Sequence, residues 1–170
     1  MKIHSIGLIV VMVIGLGACK ALNKPTQFYV NYNTSYSYPA GLPIDIPVTS
    51  TPDITTNVQQ QFKNNNSNSD LVQSVKLNQL TLTITPEGRQ TFSFLKSVEI
   101  FISAPGQPET KVAYKYDIPN TVGGYVSLDL NDAELKQYLS TDSFSLRVQS
   151  VTDETIRSGI TVNLASRFFC

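Results

Sequence analysis

Histidine, tryptophan and long apolar runs are scarce in this chain, and each shortage removes a class of function. There is one histidine, His4, and no tryptophan. If residues 1–18 are cut away, as the N-terminal pattern discussed below predicts, no imidazole is left for a Ser-His-Asp or Cys-His site. None is left as a zinc ligand either. The missing tryptophan weakens a sugar-stacking surface. An excess of one charge is also absent, with 13 Lys and Arg facing 13 Asp and Glu. The basic residues are scattered singly, which is unlike the basic patch of a nucleic-acid binder. No apolar run reaches the roughly 20 residues that a membrane-crossing helix requires.

What is present begins at the N-terminus. Lys2 precedes an uncharged stretch from Ser5 to Ala18, whose apolar content runs from Ile6 to Leu16. The stretch is short, ends in small residues and is followed by Lys20 and Lys24, which is the pattern of a cleaved signal. Leu16-Gly17-Ala18-Cys19 resembles the lipobox of bacterial lipoproteins, in which Leu, a small residue and Ala or Gly precede the modified cysteine. The resemblance covers the first 19 residues only. It implies cleavage between Ala18 and Cys19 and a diacylglyceryl group on the Cys19 sulfur. Each buried methylene contributes about 0.8 kcal/mol, so one acyl chain binds reversibly while two or three hold nearly permanently. Lys20, where an Asp would favour the inner membrane, points to the outer membrane. No acidic run follows Cys19, so a periplasm-facing domain is favoured over a surface-facing one.

The resemblance also sets what chemistry remains. A lipidated Cys19 leaves Cys170 without an intramolecular partner. That thiol then serves either in intermolecular pairing or as a small apolar residue closing a strand at Phe168-Phe169. The segment 19–26 is a short tether, since the seven residues after Cys19 span at most about 25 Å. Residues 27–170 are of a length suited to one domain with a real core.

Within 27–170 the dominant pattern is two-residue alternation separated by turn signals, which predicts a mainly β fold. The expected architecture is an antiparallel, immunoglobulin-like β-sandwich of seven to nine strands. Phe28 to Tyr32 reads as a strand and Tyr36 to Gly41 as a turn. Leu42, Ile44, Ile46 and Val48 alternate with Pro43, Asp45, Pro47 and Thr49 as an edge strand or extended segment. Thr55 to Lys63 reads as a short helix started by Pro52 and Asp53, and Asn64 to Asp70 as a polar, mobile loop. Leu71 to Thr85 reads as one long strand whose phase slips near Asn78-Gln79, a bulge that could let it serve both sheets. A turn at Pro86-Glu87-Gly88-Arg89 precedes an inward face of Phe92, Phe94, Val98, Ile100 and Ile102. Lys96 interrupts that face and is expected to snorkel at a sheet edge. Val112, Tyr114, Tyr116 and Ile118 form the next inward row. A second short helix is expected at 131–139, with Asn131 as N-cap and Glu134 completing a capping box.

Candidate chemistry is thin. Asp129, Asp132 and Glu134 could act as carboxylates in glycoside hydrolysis or, with Asn131, as calcium ligands. Their position at a helix start favours capping. Tyr29, Tyr32, Tyr36 and Tyr38, interleaved with Asn, Ser and Thr, form a candidate binding surface, because tyrosine combines a flat face with a polar tip. The alternative is that these rings pack in the sandwich. The sequence therefore predicts a non-catalytic envelope lipoprotein with no cofactor beyond its covalent lipid. Its partners would be the membrane and an envelope protein or glycan, and not nucleic acid. A glycan-handling protein, either a sugar-binding accessory or a carboxylate hydrolase, is the alternative.

Overall fold

The last strand of the chain shows why the domain closes. Ile160, Val162, Leu164, Ser166, Phe168 and Cys170 are all buried, while the residues between them face outward or are half-buried. This is the period of a pleated strand with one face in a core. The computed structural model describes residues 27–52, 58–86, 90–141 and 143–170. The segment 1–26, with Leu16, Gly17, Ala18 and Cys19, lies outside them, as do Asp53 and Glu87-Gly88-Arg89.

In chain order the elements are β1 (Tyr29–Tyr38), β2 (Val48–Ser50), α1 (Val58–Asn64) and β3 (Lys76–Thr85). They continue with β4 (Leu95–Ala104), β5 (Gln107–Lys115), β6 (Tyr125–Ser127) and β7 (Asp129–Leu130). The chain ends with α2 (Lys136–Leu139), β8 (Ser145–Thr152) and β9 (Ile160–Phe169). One sheet has the order β1-β9-β3-β6 and the other β2-β8-β4-β5-β7. Every pairing is antiparallel. The β-sandwich expected from the alternation is the architecture.

Aromatic rings join the two layers. Tyr32 on β1, Phe168 on β9 and Phe144 before β8 form a mutual cluster with centroids 5.3–6.0 Å apart. Tyr38 packs edge-on against Phe94 at 5.2 Å. At the entry of β1, Phe28 packs edge-on against Phe62 of α1 at 5.8 Å, and the Phe28 N–H donates to the Cys170 carbonyl. Edge-to-face pairs of this kind add to the area they bury.

Several local expectations are corrected by pairing. β1 runs through Tyr36 and Tyr38, and the chain turns only afterwards, at Gly41 with φ +76°. Ile44 and Ile46 are exposed, and only Val48–Ser50 is strand, at the edge of its sheet. The edge position expected for this segment is therefore found at Val48–Ser50, while residues 44–46 form a turn, with Asp45 at φ +56°, instead of continuing the strand back to Leu42. The bulge near Asn78 is present, but residues 71–75 are not strand, and β3 stays in one sheet. The chain changes sheets instead at Leu128. Its N–H still donates to Leu80 of β3, while the Asn131 N–H already reaches Val112 of β5. A second bulge, between Leu95 and Ser97, turns Lys96 out of the middle of its sheet, where it ion-pairs with Asp45 at 2.6 Å. A third makes Val112 the extra residue opposite β4, so Ala113 faces inward while Tyr114 and Tyr116 face out.

The first short helix is present as α1, with Val58 and Phe62 buried, and the start expected for it falls in residues 53–57, outside the described residues. The second differs in detail. α2 is a single turn, and no capping box forms with Asn131. Asn131 instead donates from its side chain to the Lys111 carbonyl. Glu134 accepts from the Ser74 hydroxyl and from the Val75 and Lys136 N–H groups. The Asn-rich loop is also organised, since the Asn68 side chain accepts from the Asp70 and Leu71 N–H groups and Ser67 is buried.

The division between core and surface has a direct test. Leu164→Ala, at a fully buried position of β9, is expected to cost about 2–5 kcal/mol in urea-induced unfolding. Ile46→Ala, at a site more than half exposed, is expected to stay within about 0.5 kcal/mol of the parent.

Candidate functional site

The tyrosine surface expected from the sequence does not form. Residues two apart on a strand share a face, so the even-numbered Tyr32, Tyr36 and Tyr38 enter the core together with Val30. They are 8%, 7% and 1% exposed. Only Tyr29 stands on the outside, half exposed. The other three serve packing. Tyr38 Oη lies 2.6 Å from Ser150 Oγ and 3.1 Å from Tyr36 Oη, a buried chain of hydroxyls linking the two sheets. The Tyr32 hydroxyl is buried with no hydrogen-bond partner among the described residues.

Burial raises the pKa of all three phenols. For Tyr36, the charge and hydrogen bond of Tyr38 add to that effect. For Tyr38, hydrogen bonds from Ser150 and Tyr36 oppose it without cancelling it. Burial likewise pushes the Cys170 thiol up to about 11. Cys170 is therefore a small buried residue closing β9, the second of the two roles open to it from sequence.

The acidic residues near α2 do not converge. Asp129 ion-pairs with Lys115 at 3.1 Å and Asp132 with Lys76 at 3.0 Å. Burial works to raise the Glu134 pKa, but its hydrogen bonds from Ser74, Val75 and Lys136 and the charge of Lys76 outweigh that and hold it low. A carboxylate held ionised in this way is a poor general acid. Among the described residues no group of three or more His, Cys, Asp or Glu side chains could hold a metal ion.

The two outward faces differ in kind. On the β4-β5-β8 face the charged side chains Arg147, Glu109, Glu99 and Lys111 are paired with one another. Arg147 forms a bidentate pair with Glu109, donates to Gln149 and stacks over the Phe101 ring at 4.1 Å. Beside it Glu99 accepts from Tyr116 and Lys111. The hydrogen bond from Tyr116 opposes the effect of burial and, with Lys111, lowers the Glu99 pKa.

The face built by β1, β9 and β3 is unlike this. The registers place Asn31, Arg167 and Gln79 in one cross-strand row and Asn33, Ala165 and Thr81 in the next. Because Ala165 is small and its neighbours are long, a depression of about 330 Å³ opens above it. Arg167 Nε donates to Asn31 Oδ1 at 3.0 Å, and its guanidinium carbon lies 5.7 Å from the Tyr29 ring centre. Phe169 flanks the same ring at 5.3 Å. The sequence reading missed this group, although Asn31, Asn33, Gln79 and Thr81 lie at outward phases of strands it partly recognised. Of its four tyrosines, Tyr29 alone borders the depression's Arg167 corner.

No protein family matches the chain, and no curated protein sequence matches it either.

Two outcomes follow from the buried hydroxyls. Tyr38→Phe breaks a satisfied network and is expected to cost about 1 kcal/mol, whereas Tyr32→Phe removes an unpaired hydroxyl and is expected to be neutral or stabilising by about 1 kcal/mol, both read from urea midpoints. The pH dependence has a definite sign. A phenol with a raised folded pKa loses its proton first in the unfolded chain, so stability is full below about pH 10. It falls as pH rises from there towards the folded values. Thermal unfolding over that range, repeated with Tyr36→Phe, is expected to show a shallower alkaline loss in the variant.

Proposed function

We propose that this chain is a lipid-anchored lipoprotein of the bacterial envelope that acts by binding and not by catalysis. The observation that carries the reading is Leu16-Gly17-Ala18-Cys19, placed at the end of a short apolar run and eight residues before the first described residue, Gln27. Acylation at Cys19 would hold the domain within a short tether's reach of the membrane, with the outer membrane favoured by Lys20 and the periplasmic side by the lack of an acidic run after Cys19. The tether would enter beside Tyr29, Phe169 and Arg167, because Tyr29 opens β1 and pairs with Phe169. That end of the sandwich would then lie nearest the lipid.

The binding half of the reading rests on what the side chains are committed to. The mature chain would have no histidine, and Asp129, Asp132 and Glu134 are each bound to separate local partners. Catalysis by paired carboxylates needs two groups flanking one bond, and these three do not provide that.

Metabolic labelling with a clickable fatty acid, followed by fractionation, tests the anchor. The native chain is expected to carry label and to pellet with outer membranes. Cys19→Ala is expected to lose all label and to leave the membrane fraction. An unlabelled native chain, or a Cys19→Ala variant that stays labelled, would overturn the reading.

A further inference from the structure

We propose that the depression over Ala165 is a binding site for an acidic oligosaccharide, a chain of sugars bearing carboxylates. The first ground is unspent hydrogen-bonding capacity. Among the described residues the side chains of Asn33, Gln79 and Thr81 have no hydrogen-bond partner, and Arg167 uses only Nε. Both terminal nitrogens of that guanidinium are open. Thr81 is only 7% exposed and lines the depression beside Ala165. The β4-β5-β8 face has the same number of layers beneath it but binds its own Arg147 to Glu109 and Gln149, so exposure alone does not explain the difference.

The second ground is charge. No Asp or Glu occurs in β1, in β9 or in β3, so nothing on these three strands neutralises Arg167. An arginine fork presents parallel N–H groups that match a carboxylate. Its orientation is already fixed, because Asn31 holds Nε and Tyr29 supports the plane from one side. A site whose donors are held in place loses less on binding.

The third ground is the mixture of surfaces. A sugar ring presents hydroxyls at its rim and an apolar C–H face. Amides can donate and accept at once, and the half-exposed Tyr29 ring offers a flat apolar platform. A peptide would instead seek apolar pockets for its side chains, and the floor here offers only Ala165. The site rests on the anchored reading solely for its place in the envelope, since membrane fractionation and sugar titration fail independently.

The test uses the full processed chain purified in neutral detergent and titrated calorimetrically. The probes are a galacturonic acid tetrasaccharide, its methyl ester and tetraglutamate. The acidic sugar is expected to bind, and Arg167→Gln and the methyl ester are each expected to weaken binding about tenfold, the loss of one charge-assisted contact. Ala165→Glu fills the depression with a like charge at an outward position and is expected to abolish binding, with the urea midpoint showing that the variant is folded. No binding of the acidic sugar overturns the proposal. So does equal binding of tetraglutamate or of the methyl ester, or a folded Ala165→Glu variant that binds as the parent does.

Discussion

The rest of the structure depends on β9 being paired along both edges. It takes β1 on one side through ten consecutive residue pairs, and β3 on the other through nine with one bulge. Because the side-chain period of a strand is two, fixing β9 fixes which residues of three strands face the core. Val30, Tyr32, Tyr36 and Tyr38 go in on β1, Leu164 and Phe168 on β9, and Leu80, Leu82 and Ile84 on β3. A slip of one residue would exchange that row for asparagine, serine and threonine. The hydrophobic term would be lost, so the register is enforced by burial as well as by the ladder. The first and last strands of the domain thus hold each other, and the pairing is long-range in sequence.

The same register builds the outward surface. What excludes Asn31, Asn33, Ala165 and Arg167 from the core also gathers them on one face, and the bulge at Asn78 brings Gln79 opposite Arg167. The two sheets then diverge in how they treat their outer residues. One closes its charges on each other through Arg147, Glu109, Glu99 and Lys111. These exposed or half-exposed pairs contribute little to stability, and their main effect is to leave that face with few free donors. The other has amides, hydroxyls and one guanidinium directed at solvent.

Much of this was legible in the sequence, because alternation in a half-buried strand is a direct image of its burial. β8 and β9 were readable from Phe144, Leu146, Val148 and from Ile160, Val162, Leu164 alone. The bulge near Asn78 was visible as a change of phase. The failures have a common physical origin in pairing between distant strands, which local pattern does not contain. Leu42 to Val48 alternates well but has a neighbour only from Val48 onward, so Ile44 and Ile46 remain exposed. Tyr114 and Tyr116 look like an inward row until the extra residue at Val112 reverses them. The candidate site was half legible. Tyr29 was singled out for the right residue type, but Tyr32, Tyr36 and Tyr38 share a phase that belongs to the core. Arg167 and Ala165 lie far along the chain from their β1 partners Asn31 and Asn33 and meet them only through the fold; the contact of Arg167 with Asn31 spans 136 positions.

Native-state hydrogen exchange on the full chain tests the central claim most directly. If the double pairing of β9 holds the domain together, its amides from Val162 to Phe168 will be the slowest to exchange. They will open only with global unfolding, at the free energy found from denaturant. Faster exchange in β9 than in β4 and β8, through an opening that leaves the second sheet intact, would contradict it.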